Sequence, residues 1–408
     1  MTELSNGDLE VHLEAFQRGT VDLIERSQLV RLLDESLRID RPLRVKFGMD
    51  PSSPDLHLGH AVQLMKLRDL QLLGHRILLI VGDFTAMIGD PSGRNKLRPQ
   101  LAREEIERNL ETYKAQAGAV LDMDRTEVWN NSEWFARMGF EDVLKLAGRM
   151  TVARMIERDT FQERMKTKEP IGIHEFLYPL AQGWDSVQIH CDAELGGSDQ
   201  LFNLLVGRQL QEQEQQAPQV CFTLPLINGL DGRKMSKSYD NAIGLQDEPE
   251  EMFGKVMSIE DGVMESWFTL LTRLPQEEIA ALLAGHPRRA KARLAQEITA
   301  FFHGLPAARA ASEAFDRQFK DGELPERIPE RGWPGAEREL PLANLLHLLE
   351  MVPSTSEARR VVQQGGVRLD GEVCPDPTAA VQRPRGELLV QIGKRRYVLV
   401  RGQEESTS

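Results

Sequence analysis

Two short basic motifs stand out because together they could stabilise the transition state of a phosphoryl-group reaction. His57 and His60 are three residues apart in HLGH, and Lys234 and Lys237 belong to the sequence KMSKS at 234–238. Residues three apart share one face of a helix, and a helix N-terminus adds partial positive charge and free N–H groups. Such a set would surround phosphate oxygens with donors and neutralise a departing pyrophosphate. The alternative for two histidines at a helix start is simple capping, or a polar exposed face.

A β-α-β unit is predicted to position the histidines. Residues 43–49 form a strand-like run, Ser53 is a plausible N-cap for a helix that begins at Asp55, and 77–81 is apolar on both faces like a buried parallel strand. Residues 1–40 have a helical pattern. The chain has neither GxGxxG nor GxxxxGK[ST], so no dinucleotide or Walker-type phosphate site is indicated. We therefore expect a doubly wound α/β domain.

Composition narrows the class of protein. The 408 residues are enough for two or three domains, and no apolar run approaches the length of a membrane span. The N-terminus lacks the basic start and apolar core of a signal peptide. Cys191, Cys221 and Cys374 are widely scattered, which argues against a zinc site or a disulfide framework. We expect a cytoplasmic protein with no bound metal and no membrane contact.

Three further segments carry polar residues at informative spacings. Tyr178, Gln182 and Asp185 lie at i, i+4 and i+7, so on a helix they form one stripe that faces one pocket. The sequence GGSDQ at 196–200 is typical of a strand-to-helix turn, and Asp90 lies in the glycine-rich segment 81–93. The alternative for the stripe is an amphipathic helix with its polar residues on a wet face.

Taken together, these motifs resemble those of the class I aminoacyl-tRNA synthetases. Over nearly its full length, the chain resembles the bacterial tyrosyl-tRNA synthetases. The resemblance implies activation of L-tyrosine with ATP to tyrosyl-adenylate and pyrophosphate, followed by transfer to the 3′ end of tRNA(Tyr). The attacking carboxylate is already ionised at neutral pH, so no general base is needed. The resemblance also implies that Mg²⁺ accompanies the ATP and that the protein is a homodimer.

The resemblance assigns roles to individual residues. Those for catalysis are His57, His60, Lys234 and Lys237. Those for ATP binding are Gly48, Asp50, Gly59, Gly197, Asp199 and Lys237. Those for tyrosine binding are Asp90, Tyr178, Gln182, Asp185 and Gln200.

Two positions bear on selectivity. Asp185 is implied to accept from the substrate phenol, and phenylalanine would leave that buried carboxylate unpaired, a rejection for which tyrosyl-tRNA synthetases are the standard example. The commoner branch of the family has tyrosine where this chain has Lys46, so the chain resembles the second bacterial subgroup. Lys46 either contacts the substrate or is a charge at the pocket rim, and the sequence leaves both open.

The expected organisation is a Rossmann-like catalytic domain with a parallel sheet (1–232), the KMSKS loop with an α-helical anticodon-arm domain (233–331), a linker (332–339) and an S4-like α+β RNA-binding domain (340–408). In the last, the sequence from Ser354 offers a helix cap and Asp370-Gly371 a hairpin turn. The implied RNA-binding residues are Arg359, Arg360, Lys394, Arg395 and Arg396.

The charge distribution supports an RNA-binding role for the last domain. The chain has a net charge of -13, which would repel nucleic acid as a whole. Residues 340–408 contain nine basic and eight acidic residues, so the acidic excess lies elsewhere. Three alternatives remain open: a non-catalytic RNA-binding relative, a tryptophanyl enzyme, and an S4-type ribosome-associated factor fused to a nucleotide domain.

Overall fold

The computed structural model describes residues 9–51, 55–91, 103–318, 328–335, 337–393 and 396–402. The chain divides into two compact units, Met1–Ser312 and Glu313–Ser408. Within the described ranges, no helix is both long enough and apolar enough to cross a membrane.

A six-stranded sheet forms the centre of the first unit. Its strands are β1 (Asp22–Ile24), β2 (Arg44–Met49), β3 (Arg76–Val81), β4 (Thr126–Asn130), β5 (Ala193–Gly197) and β6 (Val220–Leu224). Their order is β1-β6-β5-β2-β3-β4, with β1 antiparallel to β6 and all other pairs parallel. Every residue of β5 and β6 is buried, as expected of strands covered on both faces. The doubly wound fold predicted from the β-α-β unit is confirmed.

Helices surround this sheet and continue beyond it. They are α1 (Leu9–Gln17), α2 (Arg26–Arg38), α3 (Leu58–Leu72), α4 (Thr85–Ile88), α5 (Arg103–Ala117), α6 (Ser132–Phe135), α7 (Phe140–Ala147), α8 (Val152–Ile156), α9 (Asp159–Thr167), α10 (Leu177–Ile189), α11 (Leu201–Gln213), α12 (Pro249–Val256), α13 (Met264–Leu271), α14 (Gln276–Leu283), α15 (Pro287–His303) and α16 (Leu305–Asp316).

The expectation of continuous helix over 1–40 is wrong in its middle. Gly19, with φ of +68°, lies beyond the end of α1, and Asp22–Ile24 then pairs with β6 as an edge strand. Glycine adopts this backbone conformation without the strain that a side chain would cause. Pairing with a distant strand therefore overrides the local apolar pattern, while residues 1–8 lie outside the described part.

The helices after the KMSKS loop pack against the nucleotide fold. Arg273, just after α13, donates to the carbonyl of Met65 at 2.7 Å and to Asp69 at 2.6 Å, both on α3. Arg18 donates to the carbonyl of Leu274 at 2.8 Å. The predicted α-helical domain therefore belongs, as far as Ser312, to the same compact unit as the catalytic domain.

The second unit is an α+β module. Its elements are β7 (Glu330–Gly332), β8 (Glu339–Pro341), α17 (Leu342–Leu348), α18 (Thr355–Gln363), β9 (Val367–Leu369), β10 (Glu372–Val373), β11 (Ala380–Gln382), β12 (Glu387–Ile392) and β13 (Arg396–Arg401). Five strands form a sheet in the order β10-β9-β12-β13-β7, and β11 pairs with β8. Leu345, Leu346, Val362, Val390 and Val400 are fully buried in its core.

The helix cap and the hairpin turn predicted for this module are confirmed. The Ser354 hydroxyl accepts from the backbone N–H of Glu357 at 3.2 Å and so caps α18. Asp370 and Gly371 have φ of +46° and +86° and join β9 to β10. Two successive residues with positive φ are typical of the tight turn that matches strand twist.

The predicted linker at 332–339 is the main difference. Glu330–Gly332 pairs in parallel with β13, and Trp333 is only 6% exposed within the core of the module. The Trp333 indole N–H donates to the carbonyl of Glu337 at 2.8 Å. The Pro/Gly-rich composition concealed the buried Trp333, so this stretch is a packed part of the second unit instead of a linker that precedes it.

Candidate active site

A cavity of about 250 Å³ opens at the carboxyl ends of β2 and β5. These neighbouring strands lie where the strand order reverses, the usual ligand-binding position of a doubly wound sheet. Among the predicted catalytic, ATP-binding and tyrosine-binding residues, all but Lys237 line it. They are Gly48, Asp50, His57, Gly59, His60, Asp90, Tyr178, Gln182, Asp185, Gly197, Asp199, Gln200 and Lys234.

A larger groove of about 650 Å³ lies elsewhere on the first unit. Trp129, Trp134 and Trp184 line it, but none of the predicted site residues does. We therefore place the chemistry in the smaller cavity, where the titratable groups converge.

The two histidines cap the helix that carries them. Helix α3 begins at Leu58, not at Asp55, and His57 is its N-cap in place of Ser53, which lies outside the described residues. The Gly59 N–H donates to His57 Nδ1 at 3.1 Å, and the His57 N–H donates to His60 Nδ1 at 3.2 Å. Capping and cavity lining, stated above as alternatives, are therefore both true.

This cap determines what the imidazoles offer a ligand. Because each Nδ1 accepts a backbone N–H, each neutral ring carries its proton on Nε2. Burial together with His60 and Lys237 lowers the pKa of His57 to about 3, and burial together with Lys234 lowers the pKa of His60 to about 4. At physiological pH the pair therefore presents neutral N–H donors, not acids or bases.

The KMSKS loop adjoins the helix that carries the histidines. Lys234 Nζ lies 2.9 Å from Asp199 Oδ2, and Lys237 forms an ion pair with Asp55. Met235 is buried and lines the cavity. The loop thus brings one lysine to the cavity wall and the other to the residues that precede α3.

The predicted stripe on α10 does face the cavity. The Tyr178 hydroxyl donates to Asp50 Oδ2 at 2.8 Å, and the Gln182 side-chain oxygen accepts from Asn203 at 2.9 Å. Burial and the neighbouring Asp50 raise the pKa of Tyr178 well above its usual value, so it remains a donor. The wet-face alternative is wrong, because Tyr178 and Asp185 are both buried.

Asp185 is a buried carboxylate at the cavity wall. Its oxygens accept from Trp134 Nε1 at 2.9 Å and from Asn131 Nδ2 at 3.4 Å. Burial raises the pKa of Asp185 to about 7, although Lys46 and the two donors act in the opposite direction. The group is therefore held close to the balance between its neutral and ionised forms.

Asp90 is held by two donors from distant segments. Arg158 Nη2 lies 3.3 Å from Asp90 Oδ1, and Gln200 Nε2 lies 2.9 Å from Asp90 Oδ2. Arg158 is itself nearly fully buried and its Nη1 has no hydrogen-bond partner among the described residues. An orphaned buried donor beside a cavity carboxylate is typical of a polar ligand site.

Several side chains at the cavity were missed from the sequence. Trp134, Asn131 and Arg158 hold the two carboxylates but belong to no motif considered above. Asn131 directly follows β4, and residues after parallel strands share one sheet edge, so strand order was the available signal. Lys46 does not line the cavity, because its side chain is completely buried.

In the second unit, the three described RNA-binding candidates are Arg359 and Arg360 on α18 and Arg396 at the start of β13. Arg359 and Arg360 are exposed on the helix, and Arg360 pairs with Glu357. Arg396 donates to the carbonyl of Met351, just before α18, at 2.8 Å. Lys394 and Arg395 lie outside the described residues. The hydrogen bond to Met351 thus links the first residue of β13 to the segment that precedes α18.

Comparison with known proteins gives two family matches. The family described as tRNA synthetases class I (W and Y) matches residues 38–320, and the S4 domain matches residues 340–383. The chain is 48% identical over 400 residues to a tyrosine–tRNA ligase of Haemophilus influenzae, covering 97% of this chain and 98% of that one. It is 46% identical over 399 residues to a tyrosine–tRNA ligase of Desulfotalea psychrophila, covering 96% and 98%.

Solved structures agree. A C-terminally truncated Aspergillus nidulans mitochondrial tyrosyl-tRNA synthetase is similar with a TM-score of 0.63 at 25% identity, covering 76% of this chain and 94% of that one. The Archaeoglobus fulgidus tyrosyl-tRNA synthetase complexed with L-tyrosine has a TM-score of 0.60 at 25% identity, covering 75% and 100%. These relatives favour tyrosine over the tryptophanyl alternative. The chain therefore belongs to the tyrosyl-tRNA synthetases, the tyrosine–tRNA ligases of class I, and carries the S4 domain at its C-terminal end.

Proposed function

We propose that the cavity carries out both steps of the tyrosine–tRNA ligase reaction, with L-tyrosine at the Asp185 end and ATP beside the histidines and the KMSKS loop. In the first step the tyrosine carboxylate attacks the α-phosphorus of ATP and pyrophosphate leaves. In the second step tyrosine passes to the 3′ end of tRNA(Tyr). The observation that carries the assignment is Asp185, a buried carboxylate whose two donors leave room for a phenolic partner.

The ATP end works through donors and charge. The Nε2–H groups of His57 and His60 donate to phosphate oxygens, and Lys234 and Lys237 neutralise pyrophosphate as it departs. Lys234 leaves Asp199 to do so, which frees that carboxylate for the ribose hydroxyls. Because the histidine pKa values are lowered to about 3 and about 4, neither ring takes up a proton near neutral pH.

The remaining ATP contacts come from backbone and short side chains. Gly48, Gly59 and Gly197 line the cavity without side chains, which lets the nucleotide approach the main chain, and Asp50 lines the same cavity. We assign Mg²⁺ to the ATP phosphates, as part of the substrate. In the part of the chain that the structure describes, no three His, Cys, Asp or Glu side chains are grouped so that they could hold a metal ion.

The tyrosine end of the cavity binds both the α-amino group and the phenol of the amino acid. Asp90, Tyr178, Gln182 and Gln200 surround the α-amino group, with Asp90 kept in place by its two donors. Asp185 accepts the phenolic O–H. Ionised and buried, it gains a charge-assisted hydrogen bond from tyrosine and nothing from phenylalanine.

Replacing Asp185 by alanine is expected to reduce the ratio of kcat/KM for tyrosine over phenylalanine by roughly 30- to 100-fold, because the penalty on phenylalanine disappears. The ATP–pyrophosphate exchange rate with each amino acid measures the ratio. Asp192→Ala is the matched control, since this partly buried aspartate lies outside the cavity, and it should leave the ratio unchanged. A wild-type ratio in the Asp185 variant would remove Asp185 from the recognition site.

The proposed homodimer has a candidate surface in the first unit. Five large apolar side chains are exposed between residues 140 and 173: Phe140, Leu144, Val152, Met165 and Ile173. Phe140 and Ile173 are 78% and 84% exposed, and Phe140 and Leu144 share one face of α7. A concentration of exposed apolar groups in one part of the chain favours burial against a second copy.

Phe140→Asp is expected to convert the dimer largely to monomer, because a carboxylate in an apolar interface loses its hydration. Analytical ultracentrifugation over a range of protein concentrations measures the change. Ile39→Asp, at a half-exposed position on another part of the unit, should leave the dimer intact. If both variants sediment as the wild type does, this face is not the interface.

We place tRNA(Tyr) binding on the second unit, through Arg359, Arg360, Arg396 and the neighbouring Lys394 and Arg395. Exposed arginines on α18 and beside it are suited to phosphate contacts. The cytoplasm is the compartment where charged tRNA is used, and the three free cysteines are in keeping with it.

A further inference from the structure

A buried ion pair lies beneath the tyrosine end of the cavity. Lys46 on β2 stands opposite Glu194 on β5 in the parallel register, and Lys46 Nζ lies 3.0 Å from Glu194 Oε1. The side chains are 0% and 1% exposed. Neither residue lines the cavity, so neither touches a bound amino acid directly.

Lys46 is anchored to the same turn of helix that carries Asp185. Its ammonium donates to the carbonyl of Gln182 at 2.7 Å and to the hydroxyl of Ser186 at 2.8 Å. These residues stand three before and one after Asp185 on α10. A fixed positive charge therefore lies against the backbone that presents the recognition carboxylate.

Glu194 fixes the ammonium in place. Besides Lys46, it accepts from the Ser186 hydroxyl at 3.1 Å, from Gln182 Nε2 at 3.4 Å and from Gln219 Nε2. Each carboxylate oxygen thus has two donors. A buried carboxylate with this many partners holds its cation in one position.

The surroundings of Asp185 contain few other charges. In the described ranges, the charged groups that act on it are Lys46 from β2, which favours the carboxylate, and Glu194 from β5, which opposes it. Trp134 and Asn131 contribute neutral donors. The Cys191 thiol beside the pair is neutral, because burial and Glu194 raise its pKa.

We propose that Lys46 is a positioning residue for tyrosine recognition, whose ammonium keeps the Asp185 carboxylate ionised and able to accept the substrate phenol. The proposal rests on the recognition role proposed above for Asp185. Lys46 thereby acts on the substrate through another residue, without touching it. This role explains why the Lys46 side chain is completely buried: its charge acts on Asp185 from behind the cavity wall.

The test uses the pH dependence of discrimination in the full-length protein. The ratio of kcat/KM for tyrosine over phenylalanine is measured by ATP–pyrophosphate exchange between pH 5.5 and 8.5. In the wild type the ratio should rise with pH through about 7, where Asp185 ionises. Lys46→Met should move this rise to higher pH by at least about one unit, equivalent to a tenfold change in the ionisation constant.

For Glu194, the partner of Lys46 in the ion pair, we expect a pH shift in the opposite direction. Glu194→Gln removes the negative charge that opposes ionisation of Asp185, so the rise should move to lower pH. A purely structural role for the pair would make both variants unstable or inactive without moving the profile in opposite directions. Lys46→Arg keeps the charge and should keep the wild-type profile.

A double variant that lacks both charges of the ion pair controls for loss of folding. Lys46→Met alone leaves Glu194 buried without its cation, which is often strongly destabilising, whereas removing both charges is often tolerated. The double variant Lys46→Met/Glu194→Gln is therefore compared with Glu194→Gln alone. The rise should occur at least about one pH unit higher in the double variant, with kcat for tyrosine changed less than KM.

The roles proposed for Lys46 and for Asp185 are contradicted by different results. If the double variant and Glu194→Gln have the same profile, Lys46 does not act on Asp185 and the proposal is wrong. Asp185→Asn should abolish the pH dependence altogether. If Asp185→Asn instead retains the wild-type ratio and profile, the recognition role of Asp185 is wrong, whatever the Lys46 variants do.

Discussion

Replacing Lys234 or Lys237 by alanine is expected to slow tyrosyl-adenylate formation by roughly 10²–10³-fold, while the Kd for tyrosine changes less than about twofold. In the proposed mechanism both lysines act on the pyrophosphate charge that develops in the transition state. The tyrosine end of the cavity, around Asp90 and Asp185, does not involve them. Stopped-flow measurement of adenylate formation and equilibrium dialysis of tyrosine separate the two effects.

The expected loss is chemical, since the contacts of both lysines add little to stability. Their ion pairs with Asp199 and Asp55 are partly exposed, and such pairs contribute about 0–1 kcal/mol. Arg233→Gln is the matched control: Arg233 is on the same loop, pairs with Asp231 and does not line the cavity. It should activate tyrosine at close to the wild-type rate. Normal activation in both lysine variants would contradict the role given to the loop.

The elements that could be predicted are those whose local pattern and tertiary setting agree. The strand-like run at 43–49 and the apolar run at 77–81 became β2 and β3, and the second run is apolar on both faces, as a buried parallel strand is. The strand β1 could not be predicted, since it depends on the free edge of β6 about 200 residues away. Trp333 was hidden for a similar reason: only its packing in the second unit distinguishes it from a linker residue.

In the candidate site, too, local relations could be predicted from the sequence and long-range contacts could not. Helical spacing was sufficient to place Tyr178, Gln182 and Asp185 on one face, because that relation is local to α10. Arg158 and Trp134 contact the cavity carboxylates Asp90 and Asp185 from segments with no recognisable spacing to those residues. A lysine is rarely buried without a partner, so the position of Lys46 follows only from its register with Glu194.

Asp185 also illustrates a conflict between function and stability. Burial raises its folded pKa to about 7 from the ordinary value of 3.8, so protonated Asp185 stabilises the fold fully below pH 3.8, and that stability is lost as pH rises from there to about 7. Each pKa unit corresponds to about 1.4 kcal/mol. Lys46 reduces this cost, and in the proposed complex the phenolic O–H of tyrosine offsets more of it by donating to Asp185.

A chain that ends at Gln318 is expected to keep adenylate formation within about threefold but to lose tRNA(Tyr) charging by more than about 10³-fold, because phosphate contacts dominate the affinity of nucleic-acid complexes. The cavity-lining residues all lie in the unit Met1–Ser312, and α16 is retained. The end point precedes β7 because Glu330–Gly332 and Trp333 belong to the second unit. Exchange and aminoacylation assays measure the two activities.

Charge reversal in the full-length chain isolates the RNA contacts from the loss of a whole unit. Arg359→Glu with Arg360→Glu should weaken tRNA binding and reduce the salt dependence of log K by about one per lost phosphate contact, while adenylate formation stays normal. Arg338→Glu is the matched control, being exposed in the same unit but away from α18. A truncated chain that charges tRNA at the full-length rate, or reversal variants with the wild-type salt dependence, would place the RNA contacts elsewhere. The acidic first unit would then have to bind the polyanion without the arginines of the second, against its own net repulsion.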